Sequence, residues 1–160
     1  MNISSQRFGA LEVGEEQVLQ FPEGLIGFPN EREFVLIPHN ATGFLAWLQS
    51  TRSPAIALPV VSAHAFGSKY PDVSIDASTT SLGLGNESDD VALMVVLSAP
   101  QGQPATVNLL APILVNVTTR RGAQVILDGS RFSTRELFIR EPEEQVQEQE
   151  APKAAQAAAE

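Results

Sequence analysis

Cysteine is absent from this 160-residue chain, and histidine is limited to His39 and His64. The first absence excludes a disulfide framework, a thiolate zinc site, an iron–sulfur cluster and a cysteine nucleophile. The second leaves metal and triad chemistry with little material, because neither histidine has another at ligand spacing. His39 follows Pro38 at an expected strand end and reads as a solvated loop imidazole. Long apolar runs are missing too, and none approaches the roughly 20 residues that cross a bilayer. Residues 1–7 show no basic stretch leading into an apolar one, so export through a signal peptide is not expected and the cytoplasm is the expected location. There is no Gly-x-Ser-x-Gly and no phosphate-binding Gly-Lys-Ser/Thr. Gly83-Leu84-Gly85 lacks the third glycine of a dinucleotide loop. No catalytic residue, cofactor or metal is expected.

Basic residues are also in the minority, 10 Lys and Arg against 19 Asp and Glu, for a formal charge of -9. Residues 1–119 hold 11 acids and 4 bases, whereas residues 120–140 hold Arg120, Arg121, Arg131, Arg135 and Arg140 against Asp128 and Glu136. An acidic surface repels phosphate, and the arginine group has only Phe132 and Phe138 as neighbouring aromatics, so direct nucleic-acid binding is not expected. A basic protein would instead be attracted and steered. Residues 141–160 carry six Glu, one Lys and a single large aliphatic, Val146. They cannot bury enough apolar surface to offset the entropy of ordering. The expected organisation is one domain over residues 1–140 followed by a disordered acidic tail over residues 141–160.

What remains is 43% apolar and patterned as β. From residue 105 to 117 every odd position is apolar (Ala105, Val107, Leu109, Ala111, Ile113, Val115, Val117), a period of two that belongs to a strand. Pro112 lacks an N–H and must break or bulge the ladder. Thr119-Arg120-Arg121-Gly122 reads as a hairpin loop with Gly122 in the left-handed region, and Ala123, Val125 and Leu127 as the return strand. Pro22-Glu23-Gly24 suits a tight turn. Further strands are expected at residues 10–13, 18–21, 34–37, 44–48, 55–61, 73–76 and 91–97. Helical turns are expected at residues 63–66 and 78–82. The expected fold class is mainly β: a single antiparallel β-barrel-like or sandwich domain of about eight to ten short strands with one or two short helical turns. Asn108 and Asn116 lie on the polar face of the alternating strand and read as hydrogen-bonding residues of its ends, with partner contact as the alternative. Composition and spacing lead to an acidic β domain that acts by binding.

Several ordered phrases go further. Phe21-Pro22-Glu23-Gly24-Leu25-Ile26-Gly27-Phe28, Trp47-Leu48-Gln49-Ser50, Asn108-Leu109-Leu110-Ala111-Pro112-Ile113-Leu114-Val115-Asn116, Gly122-Ala123-Gln124-Val125-Ile126-Leu127 and Ser130-Arg131-Phe132-Ser133-Thr134-Arg135 together resemble the flagellar assembly factor FliW family. The likeness runs from Arg7-Phe8-Gly9 to about Leu137 and is looser over residues 66–72; the tail matches nothing in the pattern. The resemblance implies a small, monomeric, cytoplasmic β-barrel-like protein that is not an enzyme and has no membrane partner. It implies two protein partners, the basic RNA-binding translational regulator CsrA and flagellin. It also implies partner switching: flagellin occupies the protein until export frees it to capture CsrA and relieve repression of flagellin translation. Aromatic and acidic residues of a loop-like stretch, Phe66, Tyr70, Asp72 and Asp76, together with Asp89 and Asp90, are the expected partner contacts. The alternative is a small β-barrel that holds an apolar or sugar ligand, which requires an open interior.

Overall fold

The computed structural model describes residues 1–39, 44–62, 91–127 and 132–138. A short N-terminal hairpin, β1 (Asn2–Ser5) and β2 (Gly9–Glu12), precedes a 3-10 turn at Glu15–Gln17 that the sequence pattern did not suggest. Then come β3 (Val18–Gln20), β4 (Glu33–Pro38), β5 (Leu45–Ser50), β6 (Ala57–Ser62), β7 (Val91–Ser98), β8 (Thr106–Val107), β9 (Ile113–Asn116), β10 (Arg121–Gln124) and β11 (Glu136–Leu137). The expected strands at residues 10–13, 18–21, 34–37, 44–48, 55–61 and 91–97 are all present. Residues 73–76 and both expected helical turns lie outside the described residues. Eleven strands among the described residues exceed the expected eight to ten: β1 and β11 match no expected strand, and the alternating run 105–117 is two strands, β8 and β9, interrupted before Pro112 as its missing N–H requires.

Strands β3 to β7 form an antiparallel meander, and β9 pairs with both β7 and β10. A parallel contact of Arg121 with Gln20 joins β10 to β3 and closes a seven-stranded barrel. This parallel pair departs from the antiparallel expectation; it brings together strands from opposite ends of the domain, a pairing that no local pattern encodes. β8 and β11 extend the sheet beyond β7.

Closure creates an inside and an outside. Phe21, Leu25, Phe34, Leu48, Val60, Met94, Ile113 and Val115 pack together in the interior, with Phe21 and Phe34 edge to face at 5.6 Å. Burial of each such side chain stabilises the fold by about 1.5–3 kcal/mol. The interior is thus filled with side chains where the small-ligand alternative needs space. Outside, the β1–β2 hairpin lays Ile3 over Val18 and Val35. A second external cluster joins Leu45, Val61, Val95, Leu97 and Val107 to Phe138.

β9 is buried on both faces, with Ile113 and Val115 inward and Leu114 packed on Ala123 outward. The alternation therefore fails as a guide to exposure there: Leu114 and Asn116 are fully buried, while Val117 is 53% exposed in the turn. Asn116 Oδ1 accepts from the backbone N–H of Thr118 and Thr119 at 2.9 and 3.0 Å, and Asn108 Oδ1 does the same for Leu110 and Ala111 at 3.1 Å each. Both asparagines cap turns, as the strand-end reading expects. The loop itself differs from expectation. It covers residues 117–120, and its left-handed residue is Arg120, with φ 61°. Gly122 stands inside β10, where a Cβ would lie 2.5 Å from Phe21 Cε1 and 2.9 Å from the Leu114 carbonyl oxygen. Close packing against the interior, not a turn, requires that glycine.

Candidate functional site: the apolar barrel mouth

The expected partner contacts Phe66, Tyr70, Asp72, Asp76, Asp89 and Asp90 all lie outside the described residues. His39 is within them and is not solvated. It is buried, and its Nδ1 accepts the indole N–H of Trp47 at 3.1 Å. The register of β4 against β5 sets Trp47 opposite Ile37, two residues before His39, and the donor-only indole needs that acceptor. Arg7 covers the other side of the ring, 3.9 Å from its centroid, and Phe8 meets it edge-on at 6.1 Å. The arrangement is a packing cluster that docks the N-terminal hairpin. Of the arginines grouped in sequence, the described Arg120 and Arg121 stand apart from Arg135. β7 meets Asn116, the partner of Arg121, at Val91 and meets Val107, the partner of Glu136, at Leu97, so Arg121 stands about 15–20 Å along the sheet from Arg135.

The phrase Phe21-Pro22-Glu23-Gly24-Leu25-Ile26-Gly27-Phe28 forms a loop across one end of the barrel. Leu25 and Phe28 exchange backbone hydrogen bonds, the Phe28 N–H to Leu25 O at 2.8 Å and the Leu25 N–H to Phe28 O at 3.2 Å. Gly27 takes φ 89°, the left-handed conformation that the third position of a type II turn demands. Gly24, at φ 69°, lies so close to the returning chain that a Cβ would come within 2.5 Å of Phe28 O. One side chain ties this loop to the barrel wall: Gln124 Oε1 accepts the Ile26 N–H at 2.8 Å while its Nε2 donates to Ala111 O at 2.9 Å. At the base of the loop, Glu31 accepts the hydroxyls of Ser50, at 2.6 Å, and Ser53. These two bonds, with Arg52 adding a smaller attraction, hold its carboxyl below the usual glutamate range.

Ile26 is presented outward at 54% exposure, between two depressions. The smaller, about 200 Å³, runs along β10 beside Glu23 and Ala123. The larger, about 230 Å³, is the barrel mouth, lined by Ile26, Phe28, Leu58, Val96, Ser98, Thr106, Asn108, Gln124 and Thr134. Two more exposed apolar residues stand next to lining residues in the sheet or along the chain. Leu137, 55% exposed, pairs with the lining residue Thr106, and Ile126, 72% exposed, follows two residues after the lining Gln124. Thus, among the described residues, one of the six exposed large hydrophobics lines this depression and two more adjoin its lining residues. A concentrated apolar patch with a polar-edged concavity is the form of a protein-contact site, since isolated surface hydrophobics need no such clustering. The sequence signalled the loop through its two glycines. It did not signal Ile126 or Leu137, which it placed on a solvent face and at a domain end.

The mouth contains no acid–base constellation, and among the described residues no three His, Asp or Glu side chains come together as a metal site. Nor is any helix among them long and apolar enough to cross a membrane.

Comparison with known proteins agrees over the same span. The family model described as "FliW protein" matches residues 2–138. The chain is 36% identical over 138 residues to flagellar assembly factor FliW 2 of Desulfotalea psychrophila, covering 84% of this chain and 89% of the relative. It is 37% identical over 147 residues to flagellar assembly factor FliW of Desulfitobacterium hafniense, covering 92% and 95%. A crystal structure of the flagellar assembly factor FliW superposes with a TM-score of 0.78 at 30% identity, covering 89% of this chain and 99% of that one. With its mainly β barrel, its loop phrase and its full-length relatives, this chain belongs to the FliW family.

Proposed function

We propose that this protein is a non-enzymatic, cytoplasmic flagellar assembly factor that acts by exchanging two protein partners, CsrA and flagellin. The observation that carries the reading is the 36–37% identity to flagellar assembly factors across the whole barrel, capping loop included. The packed interior and the apolar mouth support a contact function. The charge supports a basic partner, since complementary fields raise association rates. Bound to this protein, CsrA is withheld from the flagellin message; flagellin, when abundant, displaces it. By mass action such a switch needs mutually exclusive partners and free concentrations near the dissociation constants. We assign the acidic residues Asp72, Asp76, Asp89 and Asp90, with Phe66 and Tyr70, to the contact with CsrA. The protein acts as a monomer, without binding RNA or membrane itself.

The test is a capture experiment from the native cell with the tagged full chain, with and without added flagellin. CsrA should be recovered, and its recovery should fall as flagellin rises; recovery that does not fall sinks the switch. Tyr70→Ala and Asp72→Lys, measured as folded proteins by calorimetry, should weaken CsrA binding. Unchanged affinity in both would remove that patch from the contact.

A further inference from the structure

The barrel closes through a single residue pair, and beyond that pair the edge of β10 runs open. β10 pairs with β9 through all four of its residues but with β3 at Arg121 alone. The β3 sequence supplies the reason. The Gln20 N–H donates to Arg120 O at 2.8 Å, but the Phe21 N–H turns away to Arg32 O at 2.8 Å, and Pro22 has no N–H to offer. The chain then departs into the capping loop while the other strand carries on. Val125 and Leu127 continue the bonding on the β9 side, donating to Pro112 O at 3.1 Å and Leu110 O at 2.7 Å. Strand alternation therefore turns the N–H and C=O groups of Gln124 and Ile126 the other way, and no described strand pairs with them on that side.

We propose that this edge is a strand-addition site, which takes an extended segment of a protein partner alongside β10, between that strand and the capping loop. The depression of about 200 Å³ lies there, with Pro22 to Ile26 on one side and Gly122 to Gln124 on the other. Its β10 wall presents main-chain donors and acceptors at strand spacing, which an extended backbone satisfies residue by residue. Open edges are ordinarily blunted by charge or proline. Residues 122–127, Gly-Ala-Gln-Val-Ile-Leu, contain neither, and Ile126 is 72% exposed. Ile26 on the loop and Ile126 on the edge suit alternate aliphatic side chains of the added strand. Glu23 is the one charged residue in the lining, so a lysine or arginine in the segment is favoured, in keeping with the charge of -9. The inference goes beyond partner exchange: it names how a segment is gripped and rests on this chain's backbone, whichever protein supplies the strand.

The test titrates the full chain by calorimetry with capped peptides that alternate valine or isoleucine with threonine, one threonine position carrying lysine. Binding is expected, and N-methylation of the alternate amides that face β10 should weaken it about tenfold or more, while N-methylation of the other set costs much less. Equal losses from the two sets, or no binding by any peptide, overturn the proposal. On the protein, Ile126→Pro removes an outward N–H and leaves the bonds to β9 in place, so it should also lose about tenfold. Ile126→Val keeps the donor and a branched side chain and should stay within about twofold of the wild type. Equal affinities of these two variants overturn the proposal; if unfolding curves show that Ile126→Pro does not fold, the N-methyl comparison on the wild type decides. Glu23→Gln should weaken lysine-bearing peptides by up to about fivefold and leave lysine-free ones unchanged. Sedimentation of the free protein as a dimer that the peptides dissociate would give the edge to a second copy and overturn the assignment to a partner segment. Peptide binding and the exchange of CsrA with flagellin are read in separate experiments, so either can fail alone.

Discussion

Gly122 shows how one missing Cβ fixes a strand position. Its α-carbon faces the ring of Phe21, which is fully buried and packs on Phe34. Gly122→Ala must push that ring or the backbone of β9, an overpacking change of about 1–3 kcal/mol. Urea unfolding should show a lowered midpoint with an unchanged slope, since the surface exposed on unfolding stays the same. Ile26 is the opposite case, an apolar side chain whose exposure does nothing for the fold. Ile26→Asp should alter stability by no more than about 0.5 kcal/mol. If the mouth is a contact site, the same change should weaken partner binding about tenfold or more, because a central apolar anchor carries a large share of interface energy. Thermal unfolding and calorimetry on one preparation separate the two effects.

Between elements, Glu31 is the staple. Its carboxylate accepts from Ser50 at the end of β5 and from Ser53 in the turn toward β6, and so fastens the base of the capping loop to the neighbouring strand and its turn. These bonds favour the charged form and lower its pKa in the folded state. A carboxyl with a depressed folded pKa adds stability that is present above the ordinary glutamate range and is lost as pH falls through the folded value. Glu31→Gln should therefore be less stable than the wild type at neutral pH, and the gap should narrow steadily below about pH 4. Unfolding midpoints for the two proteins between pH 3 and 7 measure this; a gap that is constant over that range excludes the charge-dependent part. At the same scale, the β9–β10 turn shows what sequence can conceal. Both Thr119-Arg120-Arg121-Gly122 and the observed residues 117–120 are reasonable turns; Asn116, through its bonds to Thr118 and Thr119, selects the second. A side chain that is fully buried in the tertiary structure decided the register; its strand-end hydrogen bonding was legible in the sequence, but its burial was not.

For the whole molecule, charge and closure set behaviour. The protein carries -9 overall, so capture of a basic partner should be steered by a field that salt screens, with a screening length of about 10 Å at 0.1 M. Stopped-flow association of the full chain with CsrA should slow by about tenfold from low to high salt while dissociation changes much less. A rate insensitive to salt would rule out the steering role.

The β architecture and the family were legible in the sequence. Period-two alternation, Gly and Pro punctuation and contiguous phrases such as Phe21-Pro22-Glu23-Gly24 are local signals, and secondary structure here follows them closely. His39 was misread for the corresponding reason: its burial depends on Trp47 from the neighbouring strand. Only the tertiary structure decided the mouth. Ile26, Val96, Thr106 and Gln124 come from separate stretches and line one depression because β10 closes on β3 while β8 extends the sheet beyond β7. Strand pairings of that range arise from the mutual packing of the closed barrel, and no periodicity along the chain records them.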